Sequence, residues 1–216
     1  MGTEVLEELS KAITIYDRGE TERCARELVQ RKMDPLKALD VMTEAIRQVG
    51  DGFGRGELWL PDLVGAAAAM EAATPIIEEE IKRVGATRES LGSIVIGTVF
   101  GDIHTIGKTM VATLLTAGGF AVVDLGINVT AESFLEGITE HHADILAMSA
   151  LMTTTAPEQR KVIETLEREG LRDKIKIMVG GGAITEEFAK SIGADGYDPT
   201  APGAVALAMR LMGKKQ

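Results

Sequence analysis

The hydrophobic pattern of this 216-residue chain changes its period near residue 89, and that change limits the folds open to it. Up to residue 88 the apolar residues recur at helical spacing only. Val5, Leu6, Leu9, Ala12, Ile13 and Tyr16 form one stripe of an amphipathic helix over 4–16, and a second helix is expected over 21–31. Asp34-Pro35 pairs a capping residue with a proline at the first helical position. It opens a third helix through Leu36, Leu39, Met42, Ile46 and Val49, which Gly50, Gly52, Gly54 and Gly56 are expected to break. Pro61 opens a fourth through Leu63, Val64, Ala66 to Met70 and Ala73. Pro75 predicts a kink or break before Ile76, Ile77 and Ile81 resume the pattern. Four helices with short connections imply a small antiparallel bundle.

From Ser93 onward, short apolar runs alternate with helical patterns. Strands are expected at 93–99, 120–125, 144–149, 175–180 and 195–197, with helices near 107–118, 131–141, 157–169, 185–192 and 202–212. That alternation predicts an α/β domain: a Rossmann-like, flavodoxin-like five-stranded parallel sheet with helices on both faces. The polar stretch 85–92, bracketed by glycines, reads as the linker, giving domains 1–88 and 89–216.

Composition narrows the function. A net charge of −10 argues against a nucleic-acid binder, which carries a basic face. No apolar run approaches the roughly 20 residues that cross a bilayer, and the acidic, amphipathic N-terminus does not read as a signal peptide. Cys24 is the one cysteine, so no internal disulfide forms, and a reducing cytoplasm is the expected location. Cys24 reads as a buried small side chain, and the adjacent His141 and His142 as solvated.

The residues that carry chemistry lie in loops that follow strands. Gly101-Asp102-Ile103-His104-Thr105-Ile106-Gly107 follows the first strand, where the crevice of an open α/β sheet lies. Asp102 is placed to reach one ring nitrogen of His104 and leave the other free, which fixes the tautomer and suits a metal ligand. Ser149 to Thr155 follows the third strand and Gly180-Gly181-Gly182 the fourth. Forty-one residues separate Gly107 from Ser149, and twenty-eight separate Leu151 from Gly180.

This ordered set resembles the cobalamin-binding signature Asp-x-His-x-x-Gly, Ser-x-Leu, Gly-Gly. Over nearly the whole chain the sequence is similar to the two-domain corrinoid proteins of methylamine, methanol, betaine and aryl-ether methyltransferase systems. It is more distantly similar to the methyl-cobalamin region of methionine synthase. The resemblance implies a bound cobalamin or related corrinoid, with cobalt ligated from below by His104 and with Asp102 as the partner of that imidazole. Gly101, Ile103, Thr105 and Ile106 would complete the loop, and Gly107 would let the helix start close to the nucleotide tail. Ser149, Leu151 and Met152 would line the tail pocket, Thr153 and Thr155 would supply hydroxyls, and Thr155 takes the place of the serine in the family's His-Asp-Ser relay. Gly180, Gly181 and Gly182 would admit the tail, and Tyr197 would close its far side.

The same resemblance makes the helical domain a cap over the upper face of the corrinoid, with Trp59 and Met70 covering the methyl ligand. Its implied function is to carry a methyl group on cobalt between a substrate-specific methyltransferase, with a methylated amine as donor, and a corrinoid:coenzyme M or corrinoid:tetrahydrofolate methyltransferase. A reductive activator protein would be a further partner; no nucleic acid and no membrane are implied. Two alternatives share the binding motif. Cobalamin light sensors carry Glu-His nine residues after the cap tryptophan, where this chain has Ala69-Met70, and no helix-turn-helix precedes the bundle here. Small subunits of cobalamin mutases lack the four-helix domain. The glycines at 50–56 and the 85–92 stretch are candidate hinges.

Overall fold

The computed structural model describes residues 2–85 and 90–213. The chain forms two compact units, Met1–Glu89 and Ser90–Gln216. Of the stretch 85–92 expected to link them, residues 86–89 lie outside the described residues.

The first unit holds α1 (Gly2–Thr14), α2 (Arg18–Gln30), α3 (Pro35–Gly54) and α4 (Leu60–Val84). Helix α2 starts where Asp17 Oδ1 accepts the Glu20 N–H at 3.0 Å, and α3 where Asp34 accepts the Leu36 N–H at 3.0 Å, with Pro35 beside it. Helix α4 packs against α2 and α3, and α1 against α2 and α3, around Leu9, Ile13, Leu28, Met42, Ile46, Leu63 and Ile77. Cys24 is buried among them.

Four expectations for this unit need correction. Helix α3 is not broken at Gly50 or Gly52 and runs to Gly54. The reason lies in packing: a Cβ on Gly52 would stand 2.9 Å from Leu58 Cδ1, and Gly52 O accepts both the Glu57 and Leu58 N–H groups. Glycine here lets the following turn fold back on the helix, which offsets its poor helix propensity. Pro75 does not break α4 either. It lies on the exposed face, so the carbonyl of Glu71 that it leaves without an N–H partner is open to water. Tyr16 lies beyond α1, in the left-handed region at φ 67°, and its ring packs on Gly65 of α4. Finally, α4 is 25 residues long with a mean hydropathy of 1.2 over its most apolar window, enough by length and composition to cross a bilayer. Its run of alanines raises that value, and its packing against α2 and α3 accounts for them as bundle core.

The second unit alternates strictly: β1 (Ser93–Thr98), α5 (Ile106–Ala117), β2 (Ala121–Asp124), α6 (Ala131–Glu140), β3 (Ile145–Ser149), α7 (Ala156–Arg168), β4 (Lys176–Gly180), α8 (Glu186–Ser191), β5 (Gly196–Tyr197) and α9 (Ala201–Leu211). A 3-10 turn at Arg172–Lys174 precedes β4. All strand pairs are parallel, in the order β2-β1-β3-β4-β5, which is the flavodoxin-like arrangement expected. His141 and His142 are both exposed at the end of α6.

The sheet is buried on both faces, which explains its near-continuous apolar strands. Along β1, Val95 joins Phe134, Val162 and Leu166 on the α6–α7 side, while Ile94 and Ile96 join Leu115 and Leu207 on the α5–α9 side. In this strand order the chain reverses direction across the sheet between β1 and β3. The carboxyl ends of those strands therefore open a crevice where loops from both can meet.

Candidate functional site

Asp102 stands in the loop after β1, fully buried. Its Oδ1 accepts the His104 backbone N–H at 3.0 Å and faces His104 Nδ1 at 2.7 Å. Its Oδ2 accepts the Leu151 N–H at 2.9 Å and the Thr155 hydroxyl at 2.6 Å, and faces the Met152 N–H at 3.4 Å. Burial pushes this carboxyl's pKa upward and is the largest single influence on it. The Thr155, His104 and Leu151 donors together outweigh burial and hold the group well below the usual carboxylate range. Asp102 is therefore an anion at neutral pH. An ionised carboxylate has no proton to give, so the 2.7 Å contact places the proton on Nδ1 and leaves the lone pair of Nε2 free.

The loop that presents His104 is held from outside the motif. Thr98, buried in β1, donates its hydroxyl to the His104 carbonyl at 2.9 Å. Asn128, at φ 55°, accepts the Gly101 N–H on its side chain at 2.7 Å and donates its own N–H to the Asp102 carbonyl at 3.0 Å. Asparagine tolerates the left-handed region better than most residues. That tolerance, in a loop after β2, is the signal that a reading of the sequence could have used and did not. The His104 side chain remains 46% exposed.

Gly101, Ile103, Thr105, Ile106 and Gly107 share this loop and the first turn of α5. Gly101 takes φ 77°, Thr105 occupies the N-cap position, and a Cβ on Gly107 would meet nothing within 4 Å. Beside them opens a cavity of about 440 Å³ on the α5–α9 face of the sheet. Gly107, Ser149, Gly180, Gly181, Gly182 and Tyr197 all line it. Its floor is apolar, built from Ile96, Ala147 and Met178. Leu151, Met152 and Thr153 lie outside its wall: all three are exposed on the loop after β3. Thr155 is buried on Asp102.

The three glycines after β4 serve different ends. Gly181 sits at φ 114°, and a Cβ there would stand 2.1 Å from Ala150 O, so the chain's own backbone requires glycine. At Gly182 the obstacle is Leu151 Cδ1, at 2.7 Å. At Gly180 the nearest atom is Asp198 O at 3.9 Å, so a side chain there would take cavity space.

Phe100, Ile103, Ile127, Leu151 and Met152 are large apolar side chains exposed on the loops after β1, β2 and β3, and Ile106 is another at the start of α5. Apolar side chains of this size left exposed on such loops suit a surface that meets a ligand or a partner. Phe100 and Ile127 escape a motif-based reading because neither belongs to the motif. Lys108, on the first turn of α5, also lines the cavity. Trp59 and Met70 belong to the helical unit. Trp59 is 74% exposed at the start of α4, where its backbone N–H donates to Asp62 Oδ2 at 2.6 Å, and Met70 is buried on that helix.

A half-exposed imidazole with its tautomer set, exposed apolar side chains on the neighbouring loops, and a largely apolar cavity that begins at Gly107 suit a broad metal-centred macrocycle with a pendant arm. Residues 92–206 match the family model described as B12 binding domain, and residues 5–78 match a second model of the same description. The chain is 41% identical over 204 residues to the trimethylamine corrinoid protein of Methanosarcina barkeri, covering 94% of each. It is 42% identical over 210 residues to dimethylamine corrinoid protein 1 of Methanosarcina mazei, covering 97% of this chain and 96% of that one. Among solved structures, a chain of the methanol:cobalamin methyltransferase complex of M. barkeri superposes with a TM-score of 0.86 at 28% identity, over 99% of this chain and 81% of its own length. Fold, motif and similarity agree: this chain belongs to the B12-binding corrinoid proteins.

Proposed function

We propose that this chain binds a corrinoid through His104 and carries a methyl group on it between two methyltransferases. One would take the group from a methylated amine, and the other would pass it to coenzyme M or tetrahydrofolate. The observation that carries this reading is the short contact between His104 Nδ1 and Asp102, which leaves Nε2 free on a loop that runs into Gly107 and Lys108 of the cavity wall. The amine is favoured by the names of the relatives, trimethylamine and dimethylamine corrinoid proteins. A methyltransferase partner is supported by the structural match to a methanol:cobalamin methyltransferase complex.

The residues present fit the group. A bound corrinoid supplies the cobalt that accepts and releases the methyl group. His104 Nε2 would ligate it, with the ring's orientation and tautomer set by Asp102 at Nδ1. Thr155 and the Leu151 N–H keep Asp102 ionised and oriented. Ser149, Gly180 to Gly182 and Tyr197 would enclose the nucleotide tail, with Gly107 giving room at the helix start. Trp59 and Met70 would shield the methyl group, excluding water and oxygen from a reactive centre.

The test is His104→Ala, loaded with hydroxocobalamin. The variant folds, because the side chain is half-exposed, but loses the imidazole-ligated absorption and paramagnetic resonance spectra. Spectra identical to the parent protein would overturn the assignment. Demethylation of trimethylamine, dimethylamine and methanol by candidate methyltransferases, each assayed with this chain as acceptor, identifies the donor.

A further inference from the structure

We infer that Lys108 is a specificity residue for the corrinoid's tail, its ammonium holding the tail's phosphodiester. The inference rests on the corrinoid reading of the cavity and adds to it a group that no part of the cobalamin signature includes.

Lys108 is the third residue of α5, only 3% exposed, and it lines the cavity. Among the described residues lining that cavity it is the one cation. Its Nζ donates to Asp124 Oδ2 at the end of β2, and the other oxygen of Asp124 accepts the Gly126 N–H at 2.8 Å. An ammonium has three N–H groups, so this partner leaves two for a ligand. The charge balance points the same way. Lys108 is almost fully withdrawn from water, whereas the Asp124 side chain is 37% exposed. A buried ammonium whose carboxylate partner is itself partly solvated has N–H groups left for a second anionic acceptor. A second anion drawn into the cavity would complete the site.

The second carboxylate on the wall, Asp198, does not compete for the lysine. Its Oδ1 accepts the Thr200 N–H at 2.9 Å and the Thr200 hydroxyl at 2.8 Å, capping α9. A chain of net charge −10 does not attract anions through its overall field, so an anionic group must be met by a local cation. The nucleotide tail of a cobalamin carries one formal negative charge, on its phosphodiester. Cobinamide has the same corrin and cobalt but lacks the phosphodiester, ribose and base. The two ligands therefore separate recognition of the tail from ligation of the metal.

The test titrates hydroxocobalamin and aquocobinamide into the full chain and reads binding by absorption. Lys108→Met should weaken hydroxocobalamin binding about 10- to 100-fold, as expected for loss of a charged hydrogen bond, and leave cobinamide binding within about twofold. Lys108→Arg should restore most of the difference. Asp124→Asn frees the ammonium and should leave hydroxocobalamin binding equal or tighter. Equal losses for both ligands, or none for either, would overturn the inference. So would an Asp124→Asn variant that loses hydroxocobalamin selectively, as Lys108→Met should, because the ion pair would then be the functional unit. Should Lys108→Met fail to fold, Lys108→Arg and Asp124→Asn decide the matter by the same ratio of affinities. Failure of the corrinoid reading looks different: the parent protein would then show no imidazole-ligated spectrum with hydroxocobalamin.

Discussion

The Leu151 N–H donates to Asp102 Oδ2 at 2.9 Å across 49 residues of sequence. One carboxylate thus ties the loop after β1 to the loop after β3, on either side of the point where the strand order reverses. Asp102 orients the imidazole with one oxygen and fastens the neighbouring loop with the other. Its two tasks share one charge.

Asp102→Asn sets an amide N–H₂ against donors on one side or the other. Breaking a buried, fully hydrogen-bonded charge costs about 3–5 kcal/mol, and thermal unfolding should show a loss of that order. The sign with pH follows from the direction of the shift. The folded carboxyl lies well below its ordinary value of 3.8, so its contribution is complete above that value and drains away as pH falls beneath it. The parent protein should therefore lose Tm more steeply than Asp102→Asn between about pH 5 and pH 3. Parallel curves would contradict the ionised, hydrogen-bonded state described here.

Thr155 separates the hydroxyl from the packing. Thr155→Val keeps the volume but removes the donor at 2.6 Å, and should cost about 1–3 kcal/mol in a denaturant titration. Thr155→Ser keeps the donor and should cost less than about 1.5 kcal/mol. If valine and serine behave alike, the hydroxyl contributes nothing to holding Asp102.

Neighbouring glycines should respond in opposite ways. Gly181→Ala meets Ala150 O at 2.1 Å from a left-handed backbone, so a loss of about 3 kcal/mol or more, or failure to fold, is expected. Gly180→Ala has its nearest neighbour at 3.9 Å and should change stability by under about 1 kcal/mol. Its methyl group would nevertheless weaken binding of the tail-bearing corrinoid, as read by absorption titration against cobinamide.

Trp59 is the clearest test of the shielding role proposed for the helical unit. At 74% exposure, Trp59→Ala should leave Tm nearly unchanged, within about 0.5 kcal/mol of stability. The reduced, corrinoid-loaded variant should oxidise faster in air than the parent protein when followed by absorption. Equal oxidation rates would remove Trp59 from the shield.

Much of the site was legible because its chemistry is local. Asp102 and His104 lie two residues apart in a loop after a strand, and their contact needs only a short turn. Thr155 was reached through resemblance to a known relay, and the structure places its hydroxyl on Asp102. Asn128, Thr98 and Lys108 were not legible, since each acts on a group in another segment or in a cavity wall that only the packed sheet creates. The misread helix boundaries have a similar origin. Glycine propensity argued for a break in α3, but the fold of residues 55–58 against Gly52 decided otherwise.

Periodicity alone determined that helices precede an alternating β/α run, because burial on one helical face, or on both faces of a parallel sheet, imprints a distinct spacing on the chain. Three loops spaced along that run marked where the chemistry lies. Tertiary structure decided which donors surround the buried carboxylate, which backbone forbids a side chain at Gly181, and that a lysine faces the cavity. Those outcomes depend on distances between segments far apart in the chain, set when the strands stack in their final order, and no local pattern encodes them.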